Sequence, residues 1–171
     1  MSVLIVGEQP EITAWLDRRR QLRQDGFDEV WEGVYHVSPS ARSEHAQVAV
    51  QVMIAVEARA RAAGLVSAGP FNLGVDKHDF RVPDGGWFTA SPGALYVPTA
   101  AVVLEVLSPQ DETFAKFDFY AARGVQEILV AHPTERWVRA WVNRGATFAE
   151  IPASALLGIT MTDLVAAVRW P

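Results

Sequence analysis

A single carboxylate interrupts the apolar run from Val102 to Pro109, VVLEVLSP, and its position calls for a chemical explanation. The run predicts a buried strand, and a glutamate is almost never fully buried unless something pairs with it. Glu105 therefore lies either on a half-exposed strand or next to a cation. Lys116, on the segment after the strand, can supply that cation. A structural ion pair between Glu105 and Lys116 is the simplest interpretation.

A second carboxylate, Asp84, adds the alternative of a metal site. It lies in RVPDGGWF, after a proline and before two glycines, which is typical of a turn. An aspartate that ends one strand, a glutamate inside the next and a lysine on the following helix can also form an acidic pair beside a cation. Two carboxylates with a strand carbonyl between them suit Mg²⁺ or Mn²⁺, which prefer oxygen ligands. The residues alone leave both interpretations of Asp84 open.

The elements that must position these residues follow from hydrophobic periodicity and turn residues. The sequence predicts, in chain order, a helix over 10–24, a strand or hairpin over 28–37 turning at Gly33, a helix over 43–63 capped by Ser43 and stopped by Gly64, β-rich arms over 71–89, a strand over 101–107, a helix from Ser108 and Pro109 to Gly124, a strand over 125–131, a hairpin partner over 136–142 and a closing helix from Ala153.

The helix predicted directly after the Glu105 strand has the clearest start signal. Ser108 is a capping side chain followed by a proline, and Asp111 adds a negative charge to the first turn. The i, i+4, i+8 spacing places three side chains on one face of this helix: Glu112, Lys116 and Tyr120.

The predicted strand, helix and strand from Ala101 to Ala131 imply a right-handed crossover between parallel strands. The other strands are joined by hairpins. We therefore expect an α/β (α+β) fold in which a mixed central sheet is flanked by helices. No repeat or linker-like stretch interrupts the chain of 171 residues, which favours a single domain over residues 1–171.

Composition excludes several classes of protein. The chain has no cysteine, so it has neither disulfides nor a thiolate metal site. Its start lacks the pattern of a signal peptide and it has no apolar segment long enough to span a bilayer, so we expect a cytoplasmic protein that does not bind membranes. The net charge of −5 means that binding to nucleic acid would need a local basic patch or bridging metal ions.

Other polar residues have simpler explanations beside the functional ones. Glu29 and Glu32 either complete a metal shell or lie on the surface, and His45 either approaches the cleft or caps the start of its helix. Ser108 is better explained as a helix cap than as a nucleophile, because no base is placed beside it. The four histidines lack the spacing of a zinc site: His36, His45, His78 and His132. The arginines at 18, 19, 20 and 23 form a solvated helix face or a ligand site.

The order of these motifs resembles the Uma-type putative restriction endonuclease family, within the PD-(D/E)XK nuclease superfamily. The resemblance rests on Pro83-Asp84, on VVLEVLSP, on an acidic residue four before and a tyrosine four after Lys116, and on GVQE. It extends upstream to EVWEGVYHVSP and to His45, and so covers about residues 28–142.

The resemblance implies a restriction-endonuclease-like fold and a divalent ion, Mg²⁺ or Mn²⁺, held by Asp84, Glu105 and the Val106 carbonyl. It also implies that Lys116 is the catalytic lysine. In the wider superfamily that lysine lies two residues after the glutamate, where this chain has Leu107. The supporting residues implied around the ion and the lysine are Glu112, Tyr120, His45 and Glu29.

The sequence therefore predicts a magnesium-dependent endonuclease that hydrolyses phosphodiester bonds in nucleic acid, with DNA as the expected substrate. The alternative is a catalytically inactive protein that keeps the fold for binding or assembly. The acidic net charge favours that alternative, as does Gly85-Gly86, because the family has an apolar strand there and glycines loosen the backbone that aims Asp84. Exposed aromatic residues such as Trp137 and Trp141 would allow a homodimer.

Overall fold

The computed structural model of the chain describes residues 3–5, 10–38, 42–109 and 112–171. Asp111 lies outside these ranges. The elements within them are, in chain order, β1 (Val3–Ile5), α1 (Pro10–Gln21), β2 (Glu29–Trp31), β3 (Val34–Val37), α2 (Ser43–Ala62), β4 (Val66–Ala68), β5 (Asn72–Asp76), β6 (Asp79–Arg81), β7 (Gly85–Phe88), β8 (Tyr96–Val97), β9 (Val102–Val106), a 3₁₀ helix (Thr113–Lys116), α3 (Phe117–Ala122), β10 (Glu127–His132), β11 (Trp137–Asn143), β12 (Phe148–Ile151), β13 (Ala153–Ser154), β14 (Ile159–Thr160) and α4 (Met161–Ala167).

Most of the strands belong to two six-stranded sheets, with β13 and β14 as a separate pair. Sheet 1 has the order β1-β3-β2-β6-β5-β8, and sheet 2 has the order β12-β11-β10-β9-β7-β4. Strands β9 and β10 are parallel, as the crossover predicts, while their outer neighbours β7 and β11 are antiparallel to them. The predicted mixed α/β class is confirmed, but the strands divide between two sheets and do not form one central sheet. None of the described helices is long and apolar enough to cross a membrane.

Sheet 2 has a hydrophobic core on each face. Helices α2 and α4 cover one face, where Val52 and Val56 of α2 pack with Leu104. On the other face, Tyr120 of α3 packs with Val103. A strand that is buried on both faces has apolar residues at nearly every position. This burial explains the apolar sequence of β9. Because side chains alternate along a strand, Glu105 points to the same face as Val103, toward α3.

The hairpin of β2 and β3 turns through Glu32 and Gly33, as predicted at Gly33. Their φ values are +50° and +85°, the two positive values that a two-residue type I′ turn requires. The turn sets the pairing of Glu29 with His36. Glu29 is consequently a buried residue of sheet 1, which excludes the surface position, one of the two alternatives for this residue.

Helix α2 matches its predicted range, with a different residue at the N-cap. The cap is Arg42, whose backbone is extended, and it makes no capping bond through its side chain. Ser43 is the first helical residue, where its hydroxyl lies 3.3 Å from a carboxylate oxygen of Glu44. The helix stops at Gly64, which has a φ of +74°, as predicted.

The helix after β9 begins later than its start signal predicts. The backbone N–H of Leu107 donates to the carbonyl of Ala131 at 2.8 Å, so strand pairing continues past β9. The Ser108 hydroxyl lies 3.0 Å from Nδ1 of His45. Helical structure starts with the 3₁₀ turn at Thr113, and Lys116 is the last residue of that turn.

The closing helix also begins later than predicted. The segment from Ala153 first forms the β13–β14 hairpin, and α4 begins at Met161. The hydroxyl of Thr160 accepts a hydrogen bond from the backbone N–H of Asp163 at 3.1 Å, which is a regular N-cap. Ile159 and Leu164 pack into the same core as α2, so the segment does cover apolar surface, as predicted.

The two glycines after Asp84 form β7 and are tightly packed. A Cβ on Gly86 would lie 2.7 Å from the carbonyl oxygen of Val102 and 2.9 Å from a ring carbon of Phe71. A Cβ on Gly85 would lie 3.0 Å from the sulfur of Met53. Gly85 pairs with β9, and Gly86 pairs with both β4 and β9, in the interior of sheet 2. The expectation that the glycines loosen the backbone at Asp84 is therefore wrong, because close packing requires them.

Gly86→Ala should destabilise the protein by about 1–3 kcal/mol, the usual cost of forcing extra volume into a packed core. Urea denaturation measures this loss. Gly69→Ala is the matched control, since a Cβ there meets no atom within 4 Å. Equal urea midpoints for Gly86→Ala and Gly69→Ala would contradict the conclusion that close packing requires a glycine at position 86.

Candidate active site

The site is built around the buried carboxylate of Glu105 in the centre of sheet 2. Glu105 is 3% exposed, on a strand flanked by β7 and β10. Its Oε1 accepts a hydrogen bond from the Tyr120 hydroxyl and lies 3.2 Å from Nζ of Lys116. The crossover from β9 to β10 brings both partners back over the strand, as predicted for Lys116; the bond from Tyr120 to Glu105 was not predicted.

Lys116 joins the two sheets through its ammonium group. Besides Glu105, its Nζ donates to Oε1 of Glu29 at 2.8 Å. Glu29 is itself held on both oxygens: Oε1 accepts from the backbone N–H of Val82 at 2.8 Å, and Oε2 accepts from the indole N–H of Trp31 at 2.7 Å. Glu29 therefore positions the lysine.

Asp84 reaches the same region from β7. The register pairs Gly85 with Leu104, which brings Asp84 level with Glu105 on the neighbouring strand. Asp84 directly precedes β7, so the prediction that it ends a strand is wrong. Its Oδ2 accepts from the backbone N–H of Val106 at 2.8 Å.

His45 contacts the second oxygen of Asp84. Its Nε2 lies 2.7 Å from Oδ1 of Asp84, and its Nδ1 lies 3.0 Å from the Ser108 hydroxyl. The imidazole thus lies between the Asp84 turn and the end of the Glu105 strand. Of the two alternatives for His45, the structure favours the approach to the cleft, since the side chain reaches from the first turn of α2 to Asp84.

Glu112 lies apart from the lysine. Its carboxylate is 3.3 Å from Nδ1 of His36. The prediction that Glu112 holds Lys116 on a shared helix face is wrong, because Glu112 precedes the 3₁₀ turn and is not on the helix.

The electrostatics of the site are set by burial and by an excess of negative charge. Burial raises the pKa of Glu105 to about 8; the Lys116 ammonium opposes this shift, and Asp84 and Glu29 add to it. Burial alone would lower the pKa of Lys116, but Glu105 and Glu29 outweigh it and raise that pKa above its ordinary value. Two carboxyl groups, those of Glu105 and Glu29, thus contact one ammonium group, and Asp84 lies nearby on the neighbouring strand.

This donor set fits a divalent ion. Carboxylate oxygens are the ligands of Mg²⁺ and Mn²⁺, and added positive charge would lower the Glu105 pKa, which burial raises first and the neighbouring carboxylates raise further. Within the described part of the chain, no group of three or more His, Asp or Glu side chains is arranged to hold a metal ion. The predicted ligand set of Asp84, Glu105 and the Val106 carbonyl contains only two carboxylates, and it stays a prediction.

Comparison with known proteins agrees with this geometry. A family model described as "Uma2: Putative restriction endonuclease" matches residues 16–158. The chain belongs to this family. The Uma2 match includes every candidate ligand and Lys116, and it confirms the resemblance inferred from the motifs.

A solved structure shares the fold. A putative nuclease of DUF820 from Anabaena variabilis ATCC 29413 superposes with a TM-score of 0.66 at 14% sequence identity, over 82% of this chain and 90% of that one. No curated protein matches the chain. The nuclease fold expected for a Uma2 chain is thus confirmed by structure as well as by family.

Sequence reasoning missed the residues that hold Glu29. Trp31 bonds Glu29 and lies in a column of stacked groups: the His36 ring is 4.2 Å from its ring, and the Arg81 guanidinium lies 4.4 Å from it and 4.0 Å from the Phe119 ring. The Glu-x-Trp spacing was the available signal, because residues i and i+2 of a strand share a face.

Glu105→Gln should change how the stability of the metal-free protein depends on pH. The carboxyl pKa is about 8 in the folded state against an ordinary 4.5, so the folded state keeps a proton that the unfolded state has released. The wild-type free energy of unfolding therefore falls as pH rises through this window, by up to about 1 kcal/mol per pH unit, and the variant lacks this decline. Urea denaturation in EDTA measures the difference.

Glu150→Gln, which removes an exposed carboxylate, is the control for that titration. The stability of Glu105→Gln relative to wild type should increase from about pH 5 to about pH 8, while that of Glu150→Gln stays level. Parallel pH profiles for wild type and Glu105→Gln would show that the carboxyl keeps its ordinary pKa.

Proposed function

We propose that this protein is a Mg²⁺- or Mn²⁺-dependent endonuclease that hydrolyses phosphodiester bonds in DNA. The observation that carries the proposal is the grouping of acidic side chains at one ammonium group: Glu29 and Glu105 contact Lys116 at 2.8 and 3.2 Å, and Asp84 lies level with Glu105 on the neighbouring strand. A structural ion pair needs one carboxylate for each lysine. An excess of carboxylates over ammonium groups at buried strands suits a cation with oxygen ligands.

The proposed ligands are Asp84, Glu105 and the Val106 carbonyl. A bound divalent ion supplies polarisation of the scissile phosphate and a lowered pKa for a bound water. The protein fixes the ligands in advance. Tyr120 orients Glu105 through its hydroxyl, and the Val106 N–H with His45 orients Asp84.

Lys116 acts in this mechanism as a charged group. Its pKa is raised above the ordinary value by Glu105 and Glu29 despite its burial, so it is an ammonium at neutral pH. An ammonium cannot take a proton from water. It donates hydrogen bonds to the attacking water or to the phosphate oxygens as the bond from water to phosphorus forms and the bond to the leaving oxygen breaks; the attacking water gives its proton to the solvent, and the leaving oxygen takes one from the solvent.

One observation favours the alternative of a non-catalytic nuclease fold. Lys116 already contacts two carboxylates, at 2.8 and 3.2 Å, which is also what a structural ion network looks like. Of the two sequence features that favoured that alternative, the loose backbone at Gly85 and Gly86 is excluded by the packing of these residues, and the net charge of −5 remains. The two functions differ in what removal of the lysine does to cleavage.

Lys116→Met should lose cleavage by roughly 10²- to 10⁴-fold, the range for a positioned charge-stabilising group. Mn²⁺ affinity should stay the same or rise slightly, because a cation next to the carboxylates has been removed. Plasmid cleavage in Mg²⁺ and in Mn²⁺ measures the first effect, and calorimetry measures the second. Cleavage by Lys116→Met at the wild-type rate would assign the lysine to a purely structural ion network.

A second variant keeps this test informative if Lys116→Met folds poorly. Leu107 lies on the same strand face as Glu105, two residues on, where the wider superfamily has its lysine. Adding Leu107→Lys to Lys116→Met should return an amine to the site and recover part of the activity. Thermal melting of both variants checks the fold.

A further inference from the structure

The face of sheet 2 that carries Glu105 continues across the next two strands. The register pairs Glu105 with Val130 of β10, and Val130 with Arg139 of β11. His132 is paired in turn with Trp137. Paired residues share a face and side chains alternate along a strand, so all five point to one side. With strands about 4.8 Å apart, Arg139 lies on a strand roughly 10 Å from that of Glu105.

The outer part of this face combines a cation with accessible rings. The Arg139 side chain is 52% exposed, and its guanidinium lies 4.6 Å from the Trp137 ring. The His132 ring lies 5.4 Å from the same indole. Trp137 is only half-buried, with its indole N–H bonded to Glu135 at 2.8 Å, so its ring is held in place. The indole is therefore partly open, with the Arg139 guanidinium over its ring.

A second exposed ring projects from the turn that carries the lysine. Phe114 is 53% exposed and lies two residues before Lys116 in the 3₁₀ helix. Its ring is 5.8 Å from that of Trp141, which shares the β11 face with Arg139 and Trp137. We call Phe114, His132, Trp137 and Arg139 the β11 surface.

Two carboxylates border this surface without neutralising it firmly. Arg139 is 3.9 Å from Glu150, and His132 is 3.8 Å from Glu135. Both glutamates are exposed, and exposed ion pairs of this kind contribute about 0–1 kcal/mol. A phosphate group can therefore compete with Glu150 for Arg139.

We propose that the β11 surface binds a nucleic-acid strand with unpaired bases. This inference rests on the proposed nuclease function and names its substrate class. Bases stack on the rings of Trp137 and Phe114, and Arg139 contacts the backbone phosphates. Only an unpaired base offers its face to a protein ring, so the preferred substrate is single-stranded or locally unwound. Stacking of this kind accepts every base, so the surface confers no sequence preference.

The test is binding of a labelled oligo-dT of about 12 nucleotides, measured by fluorescence anisotropy with the full chain in EDTA. Wild type should bind it more tightly than a duplex of equal length. Trp137→Ala and Phe114→Ala should each weaken binding at least about 5-fold. Trp137→Phe, which keeps a ring, should retain most of the affinity. Arg139→Ala should reduce the slope of log affinity against log salt by about 0.7, and the ring variants should leave it unchanged.

The chain offers matched controls for both kinds of contact. Trp15→Ala removes a tryptophan that is 43% exposed on α1, and Arg61→Ala removes an arginine that is 78% exposed on α2. Both controls should bind like wild type. Oligo-rU in place of oligo-dT shows whether the same surface accepts RNA.

The outcomes separate this inference from the nuclease proposal. If wild type cleaves DNA but the Trp137, Phe114 and Arg139 variants bind oligo-dT like the controls, the proposal that the β11 surface binds a strand is wrong. The proposal of nuclease activity is then still supported. Wild type that binds duplex more tightly, or binds neither form, also overturns the inference. If these variants lose oligo-dT binding in a protein that cleaves nothing, the binding surface is supported and the nuclease proposal is wrong.

Discussion

The buried carboxylate of Glu105 is the constraint on which the site depends. It lies in the middle of an apolar strand, where a charge is expensive unless it is compensated. Lys116 and Tyr120 provide that compensation from the crossover between β9 and β10. The compensation is incomplete, because Asp84 and Glu29 bring further negative charge to the same place. A bound cation would offset this charge, which is why the function that we propose includes a divalent ion.

The same lysine ties the two sheets together. Glu29 belongs to sheet 1 and Glu105 to sheet 2, and Lys116 bonds both. Glu29 is fixed by Trp31, whose ring is clamped between His36 and Arg81. Removing the lysine therefore leaves two carboxylates without their shared partner, so variants of Lys116 must be checked for folding before their activity is interpreted. In this Uma2 chain the lysine next to Glu105 comes from the crossover segment. Leu107 occupies the position two residues after Glu105 on the strand.

Local sequence was sufficient to predict the parts of the site that are close in the chain. The buried strand and the lysine 11 residues after Glu105 needed only periodicity and charge. Tyr120 was expected to support Lys116, and its bond to Glu105 was not predicted. Glu29, the other partner of Lys116, is 87 residues away in the sequence and belongs to sheet 1. No local pattern specifies that contact. Glu112 was misplaced because the capping signal at Ser108 was outweighed by continued strand pairing at Leu107. The tight packing of Gly85 and Gly86 depends on neighbours from three other segments, so composition alone suggested looseness where there is none.

The central claim is that Asp84 and Glu105 hold a divalent ion next to Lys116. Anomalous diffraction from crystals soaked in Mn²⁺, collected at the manganese absorption edge, tests it directly. The account predicts one strong peak about 2 Å from the carboxylate oxygens of Asp84 and Glu105 and from the Val106 carbonyl. No peak at that position, with the Lys116 ammonium still bonded to both Glu105 and Glu29, would contradict it.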